Sequence, residues 1–269
     1  MQNKAGIILI FGLIAWILLL QALFLAEAVN PEIYSKYGET IRYMVIIYVT
    51  ATHLVAVVLI LIEINDLEAF HIDKFTIVTL ILGSFLQQRL EIAGGSIFRA
   101  VIALAGVVLV IVWFRRKPNF LRTDMYWTLF AVMVSGLVVI AIAFGELILR
   151  QNWATAPLLQ NNLFVTVSNL IVRELFATAL LEEILFRGFF WGYLKRLGWE
   201  DNKLIWAQGL VFWMTHFGRI FTPFTFFVII PIITFISSQL RSRSAQVFPA
   251  IVSHSVINIL TALLNLATY

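Results

Sequence analysis

Hydrophobic residues occupy long runs of the chain, separated by short polar segments. A helix that crosses a bilayer needs about 20 mostly apolar residues, and several of these runs are that long. The pattern predicts nine spans, at approximately residues 5–26, 42–62, 75–88, 97–114, 126–148, 176–194, 203–218, 220–240 and 247–267. We therefore expect an all-α fold, a polytopic membrane bundle of eight to nine transmembrane helices.

Local features qualify three of these spans and one flanking segment. The third span is short and ends in Gln87-Gln88-Arg89, so it is expected to be tilted, re-entrant or partly interfacial. Pro223 and Pro231 are expected to kink the eighth. The run before Ala26 is too long for a signal peptide and is interpreted as a retained span. Residues 163–174 are expected to lie at the membrane interface before the sixth span.

The composition agrees with a membrane protein and excludes several other classes. Hydrophobic residues make up 61% of the 269 positions and charged residues only 13%, which no ordinary soluble domain shows. The absence of cysteine excludes disulfides, thiol catalysis and cysteine-ligated metal. The net charge of +4 comes from basic residues in short loops, and it indicates membrane topology and not nucleic-acid binding.

The basic loops predict the orientation of the helices. Three clusters fall on one side if nine spans alternate, namely Arg115-Arg116-Lys117, Lys195-Arg196 and Arg241 with Arg243. The positive-inside rule makes that side cytoplasmic, and counting back places the N-terminus there too. The acidic loop 63–73 would lie on the same side.

Three charged residues interrupt the sixth span, Glu182, Glu183 and Arg187. Each costs about 2.5 to 3.5 kcal/mol in the middle of a membrane helix, so their presence needs an explanation. Glu183 and Arg187 are four residues apart and share a helical face, as an ion pair does. Glu182 is rotated by about 100° and has no such partner. We expect Glu183 and Arg187 to brace the helix while Glu182 faces a polar cavity.

Two later spans carry further polar pairs at helical spacing. They are Phe212 with His216, and His254 with Asn258. Counted from the nearest basic loop residue, Glu182 and His216 are each 13 residues deep and His254 is 11 residues deep. At 1.5 Å per residue these depths are about 20, 20 and 16 Å, which is one layer of the membrane. Scattered structural residues have no reason to agree in depth, whereas His53, alone in its span, is expected only to form a hydrogen bond.

Such a layer suits hydrolysis by water. A carboxylate beside a histidine can hold and deprotonate a water, and a second histidine with an asparagine amide can donate hydrogen bonds to an oxyanion. Serine-elbow, zinc-protease and paired-aspartate motifs are not found in the sequence. The cavity is expected to be walled by Phe212 and Phe186 and to open toward the side of Lys195 and Arg241.

The motifs resemble those of the CAAX prenyl protease 2 family and its prokaryotic relatives, the CAAX protease and bacteriocin-processing (CPBP, or Abi) family. They are Glu182-Glu183-x-x-x-Arg187, Phe212-x-x-x-His216 and His254-x-x-x-Asn258, in that order. The resemblance covers residues from about 163 to 269. It divides the chain into accessory transmembrane helices at 1–150 and a catalytic helical core at 151–269.

The resemblance implies a glutamate-type intramembrane endopeptidase that needs no cofactor or metal. Glu182 and His216 would activate water, His254 and Asn258 would stabilise the oxyanion, and Glu183, Arg187 and Phe212 would support the site. The partners implied are membrane lipid and a peptide or protein substrate, either lipidated or otherwise membrane-anchored, and no nucleic acid. The short loops favour a prokaryotic protein of the inner membrane.

Three other functions are compatible with the same residues. Glu182, His216 and His254 could bind zinc in a metal-dependent membrane hydrolase. The pocket could instead belong to a non-catalytic binding or immunity protein. A proton-coupled transporter also carries intramembrane carboxylates, although the sequence shows none of the inverted repeats that many transporters contain.

Overall fold

A computed structural model describes residues 4–29, 32–87, 96–150 and 163–264. These residues form nine helical runs and no strand, which confirms the predicted all-α membrane bundle. Their bounds are α1 (Lys4–Val29), α2 (Glu32–Ile62), α3 (Lys74–Leu86), α4 (Ser96–Arg116), α5 (Met125–Arg150), α6 (163–196), α7 (Asp201–Met214), α8 (223–244) and α9 (Phe248–Leu263). Six of the runs are long and apolar enough to cross a membrane, while α3 and α9 are shorter apolar helices. Some predictions fall outside the described residues, namely those on Gln88, on Arg89 and on residues 265–267 of the last span. The predicted boundary between residues 150 and 151 coincides with the end of a described range.

The central helix α6 is longer than the sequence pattern predicted. Leu163–Arg173 continues into Ala179–Glu183 and Trp191–Arg196 through two π-helical stretches, Glu174–Thr178 and Ile184–Phe190. Residues 163–174 are therefore not separate from the sixth span, because no proline or glycine interrupts residues 163–187, and their position at the membrane interface stays a prediction. At 1.5 Å per residue, α6 is about 50 Å long and exceeds the thickness of the hydrocarbon core.

Both prolines of the eighth span occur where the helix is irregular. Pro223 stands at the beginning of the helical run, where its missing N–H leaves no intrahelical bond unmade. Pro231 follows directly after the π-helical turn Thr225–Ile229. The wider π turn accommodates a residue that has no N–H to donate to its own helix.

Contacts at one end of the bundle agree with the predicted clustering of the basic loops. Arg196 at the end of α6 forms ion pairs with Glu63, at 3.2 Å, and with Asp66, both in the loop after α2. Gly6 in the first turns of α1 packs against Tyr193, so the beginning of α1 and the end of α6 lie together. The Arg241 guanidinium lies 2.8 Å from Nδ1 of His71, and burial together with this charge lowers the pKa of His71 to about 4.

A buried carboxylate connects this end of the bundle to α9. Asp73 at the beginning of α3 accepts hydrogen bonds from the backbone and hydroxyl of Thr76, from the hydroxyl of Thr123 and from the N–H of Phe248. Phe248 is the first residue of α9. Asp73 therefore fixes where the helix that carries His254 begins.

Helix α3 packs against α6 at very short range. A Cβ atom at Gly83 would lie 2.2 Å from the carbonyl oxygen of Phe176, so only glycine fits there. Next to it, Ser84 forms a hydrogen bond of 2.9 Å with Nε2 of buried His53, which confirms the structural role predicted for that histidine. The first contact packs the π-helical stretch Glu174–Thr178 of α6 against α3, and the second joins α3 to α2.

We expect Gly83→Ala to destabilise the protein by about 1–3 kcal/mol, because the added methyl group must push two backbones apart. Thermal unfolding in detergent measures the effect. Gly136→Ala on α5 is the matched control, since nothing lies within 4 Å of a Cβ atom at that position. Equal melting temperatures for the two variants would contradict the proposed close approach.

Candidate active site

Two adjacent glutamates of α6 face different surroundings. The Glu183 side chain is fully buried, and its Oε1 lies 3.1 Å from Nη1 of Arg187, also fully buried. The predicted ion pair between residues four apart is therefore confirmed. The Glu182 side chain is 19% exposed and points elsewhere, as expected from a rotation of about 100° per residue.

Further contacts surround the Arg187 guanidinium. Its Nη2 lies 3.4 Å from the carbonyl oxygen of Thr234 on α8, and its carbon lies 4.1 Å from the centroid of the Phe212 ring on α7. The Arg187 carbonyl accepts a hydrogen bond of 2.8 Å from Nε of Arg241. A buried charge of this kind is tolerated only with such compensation, so Arg187 ties α6 to α7 and α8.

Glu182 lies between the two predicted histidines. Its Oε2 is 3.8 Å from Nε2 of His216 and 3.8 Å from Nε2 of His254. Within the described part of the chain this buried oxygen has no hydrogen-bond partner. The Oε2 of Glu182 and the two Nε2 atoms therefore face one another without a direct hydrogen bond.

His216 does not lie within a helix, contrary to the helical spacing inferred from the sequence. Helix α7 ends at Met214, and His216 is in the turn that follows. Its ring still packs on Phe212, with centroids 4.7 Å apart, and its Nδ1 lies 2.8 Å from the Phe212 carbonyl oxygen. Because a carbonyl can only accept, Nδ1 carries the hydrogen and Nε2 presents a lone pair toward Glu182.

His254 on α9 is oriented by the other glutamate. Its Nδ1 donates to Oε1 of Glu183 over 2.8 Å, and its side chain is only 4% exposed. The Phe212 ring also contacts this imidazole edge-on, with centroids 6.0 Å apart. Glu183 thus fixes both the arginine that braces α6 and a histidine that faces Glu182.

Asn258 lies one turn further along α9 and contacts a residue that the sequence analysis did not single out. Its Nδ2 donates to Oε2 of Glu174 over 2.8 Å, and Oε1 of Glu174 accepts from Nε of Arg173. The sequence did contain a signal for Glu174, because Arg173 and Glu174 are a second pair of opposite charges next to each other in an apolar run. It was overlooked because residues 163–174 were assigned to the interface.

One cavity of about 650 Å³ unites the predicted residues. Glu182, His216, His254 and Asn258 all line it, and Phe186 and Phe212 form part of its wall, as predicted. The expected direction of its opening is wrong. The lining includes Arg173 and Arg219 but neither Lys195 nor Arg241. Arg173 lies in the half of α6 farther from Lys195, and Arg219 lies in the turn after α7, at the end of that helix farther from Lys203.

The N-terminal helices also contribute to the cavity. Ile17 and Gln21 of α1 and Tyr48 of α2 line it. Oε1 of Gln21 accepts a hydrogen bond of 3.0 Å from the N–H of Gly218, two residues after His216. Contacts across about 200 residues of sequence leave no local pattern, so the sequence alone gave no sign of this wall.

The described residues show no ready-made metal centre. No group of three or more His, Asp or Glu side chains among them has the geometry to hold a metal ion. Glu182, His216 and His254, the three residues that could bind zinc according to the sequence, are of the residue types that ligate this metal. Their disposition instead leaves Glu182 separated from both ring nitrogens by 3.8 Å.

Residues 165–260 match the family described as type II CAAX prenyl endopeptidase, Rce1-like. The matched stretch begins in the first turns of α6 and ends in α9, so it contains every site residue predicted from the motifs. This match confirms the resemblance, and it supports a membrane endopeptidase of the CAAX protease type with a protein substrate. The chain matches no curated protein and no solved structure.

We expect Glu183→Ala and Arg187→Ala each to lower the stability by about 3–5 kcal/mol, because each leaves a buried charge without its partner. Folded yield and thermal unfolding in detergent provide the measurement. Glu200→Ala is the control, since it removes a solvent-exposed pair with Lys203 that contributes at most about 1 kcal/mol. Wild-type stability of both buried variants would disprove the bracing role.

Proposed function

We propose that this chain, whose residues 165–260 match the type II CAAX prenyl endopeptidase Rce1-like family, is an intramembrane endopeptidase that cleaves peptide bonds with glutamate-activated water. One observation carries the proposal. The buried Oε2 of Glu182 lies 3.8 Å from Nε2 of both His216 and His254, at the wall of a cavity, with no hydrogen-bond partner among the described residues.

Glu182 and His216 are assigned to the activation of water. A water molecule bound to both Oε2 of Glu182 and Nε2 of His216 would lie about 2.8 Å from each, because two hydrogen bonds of that length span atoms up to about 5.6 Å apart and these atoms are 3.8 Å apart. Both atoms can only accept in the state inferred above, so the water would donate one hydrogen to each. Its oxygen lone pair would then be directed into the cavity, toward a substrate carbonyl.

The reaction would proceed by addition and elimination. The water oxygen forms a bond to the carbonyl carbon, Glu182 takes the proton, and the carbonyl electron pair becomes an oxyanion. When the oxyanion collapses, the carbon–nitrogen bond breaks and the proton passes from Glu182 to the departing amine. Glu182 is thereby restored as a carboxylate, and a carboxylic acid and an amine are the two products.

Asn258 and His254 are assigned to the oxyanion. The Asn258 amide donates one hydrogen to Glu174 and keeps the second for the substrate. Nδ1 of His254 is committed to Glu183, so Nε2 can donate to an oxyanion only from the doubly protonated ring. The carboxylates of Glu182 and Glu183 on either side of this ring stabilise that form electrostatically.

The setting of the site favours a membrane-associated substrate. Phe186, Phe212, Ile230 and Ile233 line the cavity beside the polar residues, which suits a peptide with an apolar or lipidated segment. We propose the prokaryotic inner membrane as the location, with the N-terminus cytoplasmic as the positive-inside rule indicates. We also propose that residues 151–269 carry the chemistry and that residues 1–150 are accessory helices that complete the wall of the cavity.

We expect Glu182→Gln to reduce hydrolysis by at least about 10²–10⁴-fold, the usual contribution of a general base, while the protein still folds. Mass spectrometry of the products from a farnesylated peptide ending in Cys-Val-Ile-Met measures the effect. Glutamine keeps the shape of the side chain and removes its basicity.

Two controls accompany this experiment. The Gln variant should stay folded in detergent with a melting temperature close to that of the wild type, because glutamine fills the same space and the buried Oε2 of Glu182 has no hydrogen-bond partner among the described residues. Wild-type activity should also survive a metal chelator. Turnover by the Gln variant at the wild-type rate would exclude Glu182 as the base, and loss of wild-type activity with the chelator would favour the metal-dependent hydrolase.

A further inference from the structure

Glu174 is a carboxylate of the cavity wall that belongs to none of the three sequence motifs. It is only 4% exposed, and it lines the same cavity as Glu182 and Asn258. Each of its oxygens has its own partner. Oε2 accepts a hydrogen bond from Nδ2 of Asn258 and Oε1 accepts one from Nε of Arg173, both over 2.8 Å. Because a buried carboxylate is costly, these two contacts indicate what Glu174 does.

The irregular geometry of α6 brings Glu174 to the same side of the helix as Glu182. Glu174, Thr178, Glu182 and Phe186 follow one another at intervals of four residues, and all four line the cavity. In a regular α-helix each interval of four adds a rotation of about 40°, so the last would be turned about 120° from the first. The π-helical stretch Glu174–Thr178 has wider turns and rotates less per residue, which reduces this drift.

The contact with Glu174 determines how the amide of Asn258 is turned. A carboxylate that forms an ion pair with Arg173 can only accept hydrogen bonds, so it binds Nδ2 of Asn258 and would repel Oδ1. Nδ2 carries a second hydrogen, which this orientation leaves for another acceptor. In the reversed amide, Oδ1 would occupy the place of Nδ2 and would repel an oxyanion instead of binding it.

We propose that Glu174 is a positioning residue that holds the Asn258 amide in the orientation in which it donates to the oxyanion. This inference rests on the proposed function, since it names the residue that prepares one of the oxyanion donors assigned there. Glu174 acts through Asn258 and does not contact the reacting atoms. The ion pair with Arg173 compensates the negative charge that this role keeps buried beside the cavity.

The first test is a double-mutant cycle on the turnover of the farnesylated peptide. Glu174→Ala should lower kcat about tenfold and leave KM unchanged, because the oriented hydrogen bond is made only in the transition state. Asn258→Ala should lower kcat by about 10²–10³-fold, the usual effect of removing an oxyanion donor. Adding Glu174→Ala to the Asn258→Ala variant should cause no further loss, because the residue through which Glu174 acts is already absent.

Glu63→Ala is the matched control. Glu63 is likewise a buried glutamate, 6% exposed, that accepts from the hydroxyl of Tyr193 over 3.0 Å and pairs with Arg196 at 3.2 Å, and it does not line the cavity. Both alanine variants remove a carboxylate from an arginine and from a neutral donor, so both should melt at a lower temperature in detergent. Only Glu174→Ala should lose kcat, whereas a merely structural role would give the two variants the same effect.

Glu174→Gln keeps the test valid if the alanine variant does not fold. Glutamine fills the same space and retains one acceptor, but its own amide N–H can pair with the reversed amide of Asn258. This variant should therefore lose a smaller part of kcat than Glu174→Ala. Its loss should also disappear in the Asn258→Ala background. A loss of kcat that persists there, for either substitution, would show that Glu174 acts by another route and would overturn the proposal.

The second test measures binding and does not depend on turnover. The probe is the same peptide with a phosphinate group, –PO₂–CH₂–, in place of the scissile amide, and its charged oxygens imitate the oxyanion. The wild type should bind the phosphinate about tenfold more tightly than Glu174→Ala does. The alkene isostere, which has no oxygen at this position, should bind both proteins equally.

The outcomes separate this inference from the proposed function. Binding of the phosphinate that depends on Glu174, without any hydrolysis by the wild type, would support the positioning role and refute the endopeptidase. Hydrolysis by the wild type with an unchanged kcat in Glu174→Ala would overturn the positioning role and retain the endopeptidase. Absence of both hydrolysis and Glu174-dependent binding of the phosphinate would overturn both.

Discussion

The burial of charge away from water is the constraint on which this structure depends. Glu183 and Arg187 are both completely buried, and an isolated ion at that position would cost several kcal/mol. The pair is compensated by His254 from α9, the Thr234 carbonyl from α8 and the face of the Phe212 ring from α7. Each of these helices must therefore be placed so that its donor, acceptor or ring meets the pair. The arrangement of the four helices that meet at this pair follows from that requirement.

The two adjacent glutamates show how one helix gives identical side chains different surroundings. Oε1 of the fully buried Glu183 contacts both Arg187 and His254, and Glu183 does not line the cavity. Glu182, one residue earlier, turns toward a cavity and keeps an oxygen without a partner among the described residues. The rotation of about 100° per residue accounts for the difference. Phe212 supports both arrangements, since its ring lies under Arg187 and against His216.

Much of the site could be predicted because its signals are local. The spacing of Glu183 and Arg187 specified an ion pair, and the motifs with a shared depth brought Glu182 together with His216 and His254. The hydrogen bond between Asn258 and Glu174 and the direction of the cavity depend on how separate helices pack, which no spacing along the chain encodes. Depth along a helix gives a layer of the membrane but not the side from which that layer is reached. The continuity of α6 was missed because two charged residues at 173–174 resemble a helix end.

The hydrogen bond between Gln21 and Gly218 bears on how such a protein can evolve. Sequence similarity to the family stops at residue 165, yet the turn that carries His216 is held from α1, and Tyr48 of α2 shares the same wall. The boundary of the family match is therefore not a boundary of the cavity. Substitutions in α1 or α2 can reshape one side of the cavity while every residue of the matched motifs stays the same.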